Sequence, residues 1–178
     1  MQQEILDFWF NQIEQQLWWK KDEAFDQLIT EKYSTIHQQA SRCELYPWRE
    51  SAQGRLAEII ILDQFSRNMF RGSALAFAND SLALTLAQEA VSSGADKELN
   101  TRQRGVLYLP YMHSESQEIH AVALALYKQN GIQENYDFEL KHKKIIDQFG
   151  RYPHRNKILG RQSSDEELAF LSLPGSGF

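Results

Sequence analysis

The side chains best suited to chemistry fall in two short stretches. His142 to Arg161 reads HKKIIDQFGRYPHRNKILGR and places Arg151, His154, Arg155 and Asn156 within six residues. Leu62 to Gly72 reads LDQFSRNMFRG. Aligned on Asp63 and Asp147, 84 residues apart, both contain Asp-Gln-Phe-x-Arg, with a second arginine four residues later (Arg71, Arg155). Arginine's planar fork binds two oxygens of a carboxylate or phosphate at once. Two such stretches in an acidic protein point to a shared polar site for an anion.

Helical spacing supplies partners for these groups. Asp63 follows Leu56 and Ile59 by seven and four residues, which puts it on the buried side of its helix. A buried acid needs a partner, and Arg67 at i+4 is in reach. That pair either locks the helix end or orients Arg67 while Asn68 and Arg71 face a ligand. Asp147 and Arg151 repeat the pattern, but Gly150 interrupts the helix between them. Pro153 biases Tyr152 to an extended backbone. Gly150 to Asn156 thus forms a shaped turn presenting Arg151, His154, Arg155 and Asn156.

His142 shares a helix face with Ile146 and Phe149. It is either a satisfied core histidine or part of the same pocket as His154, titrating near neutrality. His113 ends the segment Tyr-Met-His-Ser-Glu-Ser, where it caps a helix or joins Glu115 in the pocket. The candidate catalytic residues are therefore His113, His142 and His154. The candidate ligand-binding residues are Arg67, Asn68, Arg71, Arg151, Arg155 and Asn156, and the implied ligand is a small anionic metabolite.

Other chemistries lack their signatures. There is no phosphate loop, dinucleotide fingerprint, His-Glu-x-x-His or Gly-x-Ser-x-Gly, so neither a cofactor nor a metal is expected. A helical scaffold that grips a protein segment in a groove is the alternative, as are purely structural ion-pair locks. From Lys141 to Arg161 seven lysines or arginines stand against one acid. The lysines read as a solvated face. A net charge of -5 and the lack of interleaved aromatics disfavour nucleic acid.

The elements that must carry these groups are helices. Ile5, Phe8 and Trp9 mark a short first helix. Asp22 caps a second, with Phe25, Leu28, Ile29, Ile36 and Ala40 on one face. Ser51 opens a third, Asn79 or Asp80 a fourth, and Thr101 a fifth that Pro110 kinks. Glu118 to Tyr127 and Glu134 to Phe149 follow, the latter ended by Gly150. Ser163 or Ser164, with acids behind it, starts the last. The expected class is all-α: about eight helices in one domain, 1–178, as antiparallel hairpins stacked in a tetratricopeptide-like array. Cys43 is alone, which fits a reducing, cytoplasmic setting. No apolar run, Ile59 to Leu62 included, is long enough to span a membrane.

Taken together, LDQFSRNMFRG (62–72), AFAND (76–80), YLPYMHSE (108–115) and FGRYPHRN (149–156) resemble an uncharacterised bacterial family, domain of unknown function 924. ILDFWF (5–10) and EELAFL (166–171) extend the resemblance over nearly the whole chain. It implies an all-helical fold similar to tetratricopeptide arrays and brings no reaction. Ser66 stands where the family pattern has Pro, and Tyr152 where Phe is common.

Overall fold

The computed structural model describes residues 1–176. Among these there is no β-strand. The α-helices are α1 Gln2–Asp7, α2 Glu23–Ser41, α3 Ala52–Ile60, α4 Ser66–Met69, α5 Asp80–Ser92, α6 Thr101–Leu107, α7 Leu109–Met112, α8 Gln117–Asn130, α9 Gln133–Phe149 and α10 Asp165–Leu171. α3 and α4 are joined by a π turn, Ile61–Phe65. α6 and α7 are offset at Tyr108, just before Pro110. Taking each joined pair as one run gives the eight helices expected.

Every residue from Leu56 to Ser66 is buried, including Glu58, Asp63 and Gln64. A helix apolar on all sides belongs at the centre of a protein. α1, α5 and α6 accordingly pack around α3. The first turns contribute Phe8, which meets Tyr33 and Phe65 at ring-centre distances of 5.0 and 6.2 Å. α8 and α9 form a hairpin across Gly131. These contacts radiate from α3, and they do not establish tetratricopeptide-like stacking.

Most helix ends follow the capping chemistry in the sequence. Asp22 Oδ1 accepts from Phe25 N at 3.0 Å, Ser51 Oγ from Gly54 N at 3.0 Å and Ser164 Oγ from Glu167 N at 3.2 Å. Gly150 ends α9 with φ +68°. Three expectations are corrected. Asn100, not Thr101, caps α6, because its amide and that of Gln103 close a reciprocal capping box. Asn79 precedes α5 without a side-chain capping bond, and its Nδ2 donates to Ser41 and Ser66 instead. Leu28, placed by spacing on the core face of α2, is 45% exposed.

Candidate functional site

The site grows from the π turn after α3. A π turn widens the helix by one residue and re-aims the side chains that follow it. Asp63, in that turn, is only 1% exposed. Its Oδ1 accepts from Nδ1 of His113, at the end of α7, at 2.7 Å, and pairs with Arg67 Nη1 at 3.1 Å. Its Oδ2 accepts from Gln64. Burial by itself would raise the Asp63 pKa. Arg67, then His113, and the hydrogen bonds outweigh burial and hold the carboxyl far below the usual carboxylate range. An ionised Asp63 can only accept, so His113 carries its proton on Nδ1 and its Nε2 holds a lone pair. That Nε2 makes no hydrogen bond within the described residues and is not sealed from solvent. Burial, then Arg67, lowers the His113 pKa despite Asp63.

Arg67 carries the network to α5. Its Nη1 and Nη2 fork onto the Asp80 carboxylate at 2.9 and 3.0 Å. Asp80 also receives Arg155 Nη1, at a longer 3.4 Å. The Arg155 guanidinium lies between two rings, 4.6 Å from the centres of both Phe77 and Tyr152. Its side chain is 8% exposed, and its Nε is buried without a hydrogen-bond partner. Its Nη2 also lacks a hydrogen bond among the described residues but remains open to solvent. Burial, then Arg67, holds the Arg155 pKa below the ordinary arginine value.

Tyr152 is the hub on the other side. Pro153 pins the turn, and the Tyr152 hydroxyl donates to Met112 O at 2.5 Å and meets His120 Nε2 at 3.3 Å. The rings of His120, His142 and His154 lie 6.3, 5.9 and 5.5 Å from that of Tyr152. His142 donates from Nδ1 to Phe138 O, and burial pushes its pKa down to about 3. Burial, then Arg155, pushes His154 down to about 4. His120 sits on Glu139 at 2.6 Å and on Ser114 O at 2.8 Å, with both side chains fully buried. Each nitrogen of His120 is thus engaged, whereas His113 keeps one open.

Arg67, Arg155, His113, His142 and His154 are therefore brought into one connected cluster. The other sequence candidates are engaged elsewhere. Asn68 and Arg71 both hold Asp26 of α2, at 2.8 Å from Nδ2 of Asn68 and 2.8 Å from Nη2 of Arg71. Arg151 grips Glu167 of α10 at 2.7 and 2.8 Å. Asn156 stitches its own turn, donating to Ser163 and accepting from Arg161. One pairing expected from the sequence is overturned. Asp147 is exposed and pairs with Lys143 rather than Arg151, because the helix stops at Gly150 and Arg151 turns away. Glu115 and His113 share no hydrogen bond or ion pair, but Glu115 holds the turn that carries Tyr152. It takes both Arg161, at 2.6 and 2.9 Å, and the Tyr152 amide, at 2.8 Å.

Asp80, Phe77, His120 and Glu139 escape a reading of the two motifs. Two of them left a signal. His120 lies three and seven residues before the buried Ala123 and Tyr127, and Glu139 three and seven before His142 and Ile146. Polar groups on core faces of neighbouring helices are candidates for pairing with each other.

Two surface cavities lie elsewhere. One of about 220 Å³ is lined by Gln3, Asp7, Asn11 and Arg102 among others. One of about 50 Å³ includes Asp96, Arg104 and Tyr108. Among the described residues, no three His, Cys, Asp or Glu side chains are grouped as a metal site requires, and no helix is long and apolar enough to cross a membrane.

Comparison with known proteins gives a family and a fold. No curated protein matches the chain significantly. The chain is similar to the solved structure of ATU0120, a protein of unknown function from Agrobacterium tumefaciens. The two share 37% sequence identity and a TM-score of 0.91, with 96% of each chain covered. Residues 5–175 match the family described as Bacterial protein of unknown function (DUF924), and the chain belongs to that family.

Proposed function

We propose that the cluster around Arg155 binds a small anionic metabolite, with a histidine placed to exchange a proton with it. The observation that carries this reading is the state of Arg155. A nine-tenths-buried guanidinium costs several kcal/mol to desolvate unless it is closely paired. Its one carboxylate partner stands at 3.4 Å and is already forked by Arg67. The two rings hold the cation in place, while Nη2 stays available to an oxyanion. A cytoplasmic setting, consistent with the lone Cys43, belongs to the same reading.

A thermal-shift screen of small anions against wild type and Arg155→Ala tests it. Ligand at 100 times its Kd adds about 2.7 kcal/mol to stability. A shift in wild type that disappears in Arg155→Ala is the expected result. No shift with any anion favours a scaffold for a protein segment, or a purely structural network.

A further inference from the structure

We propose that Arg155 and His113 are the two arms of a site that takes up a small monocarboxylic acid as ion plus proton: the carboxylate on Arg155, the proton on Nε2 of His113. This inference rests on the anion reading above and adds the ligand class and the proton.

The two arms end one continuous chain, His113–Asp63–Arg67–Asp80–Arg155. Each end carries a nitrogen without a hydrogen bond among the described residues: Nε2 of His113 and Nη2 of Arg155. With His113 neutral, the chain holds two cations and two anions. A carboxylate arriving with a proton leaves that balance intact. A phosphate dianion would add uncompensated charge beside Asp63 and Asp80, where low solvent exposure makes like charges costly. The single open nitrogen of Arg155, Nη2, can donate to one carboxylate oxygen.

Asp63 gives the proton a place to go. Protonation at Nε2 makes an imidazolium whose Nδ1–H already donates to an ionised carboxylate. The groups that bear on His113 are Asp63 before α4, Arg67 on α4, Asp80 on α5 and His142 on α9. Arg67 opposes the charge and the two aspartates favour it. His142, whose proton affinity burial lowers, does not compete for the proton. The His120–Glu139 pair is fully buried, and Oε2 of Glu139 has no hydrogen-bond partner there. A bound carboxylate adds a further negative charge to those of Asp63 and Asp80 and raises the proton affinity of His113. Binding and protonation are then linked.

The test is a titration of ¹⁵N-histidine-labelled protein with sodium acetate, and separately with inorganic phosphate, followed by NMR between about pH 6 and pH 8. Acetate is expected to bind in the millimolar range, about the affinity of a single small-ion contact pair. His113 Nε2 should move from its unprotonated to its protonated shift as acetate is added. Affinity should weaken toward about tenfold per pH unit as pH rises. Arg155→Ala should lose binding. His113→Asn, whose amide keeps the donor to Asp63, should bind acetate without the pH dependence.

Acetate binding that needs Arg155 but leaves His113 unprotonated overturns the proposal and leaves the anion reading intact. Phosphate binding tighter than acetate overturns the monocarboxylate class. Binding of neither ion, or binding indifferent to Arg155→Ala, overturns both.

Discussion

Asp80 accepts hydrogen bonds from Arg67 and from Arg155, one from each arginine-rich segment. This one carboxylate joins residues that lie 13 before it and 75 after it. It also keeps two buried guanidiniums from facing each other unscreened.

Asp80→Asn should therefore destabilise the fold although Asp80 is a fifth exposed (21%). Removing one partner of a buried pair costs about 3–5 kcal/mol. Partial exposure reduces this to about 1–3 kcal/mol here. Urea denaturation measures it, and a midpoint equal to that of wild type would show that Asp80 is not the clasp.

Arg71 and Arg151 should behave differently from Arg155. Their own side chains are 34% and 32% exposed, although the carboxylates they hold, Asp26 and Glu167, are less so. Arg71→Ala should cost no more than about 1 kcal/mol, and both Arg71→Ala and Arg151→Ala should leave anion binding unchanged. Loss of anion-induced stabilisation in either variant would enlarge the site beyond Arg155.

α2 ends in an unusual way. Cys43 sits at φ +59°, with Glu44 N bonded to Gln39 O and Cys43 N to Ala40 O. This is a Schellman end, which glycine normally makes because a Cβ is disfavoured there. Left-handed geometry costs an L-residue about 1–2 kcal/mol, part of which Cys43→Gly returns through added freedom in the unfolded chain. A net gain of up to about 1 kcal/mol is expected. An unchanged or lower urea midpoint would contradict it.

Stability should fall in mild acid. His142 and His154 are held at about 3 and about 4 when folded, below the 6.5 of a free histidine. The unfolded chain therefore binds more protons, and the contribution is complete above about pH 6.5. It declines as pH drops toward 4, by at most about 1.4 kcal/mol per pH unit for each histidine. Asp63 and Glu115, whose pKa values are lowered, add their losses below the ordinary carboxylate range. Denaturation midpoints should start to fall near pH 6, and His142→Asn should flatten the slope between about pH 6 and pH 4.5. A flat profile down to pH 4.5 would mean that the histidines are already relaxed or solvated.

What the sequence determined by itself is local. Helix positions follow from apolar spacing, and their ends from Asp22, Ser51, Ser164, Gly131 and Gly150. The pair Asp63–Arg67 is legible because a helix brings i and i+4 together whatever surrounds it. The same rule fails for Asp147 and Arg151, since Gly150 ends the helix between them. Identical letters then stand in unlike backbones, and the echo of Asp-Gln-Phe-x-Arg does not become an echo of structure. Tertiary packing alone decided which acids meet which arginines. Glu167 takes Arg151, Asp26 takes Arg71, Glu115 takes Arg161, and Asp80 ties Arg67 to Arg155. Charge is promiscuous in sequence, because any carboxylate suits any guanidinium. Partners become specific when α3 at the centre sets the directions from which α5, α7 and the turn after α9 approach Asp63 and Tyr152.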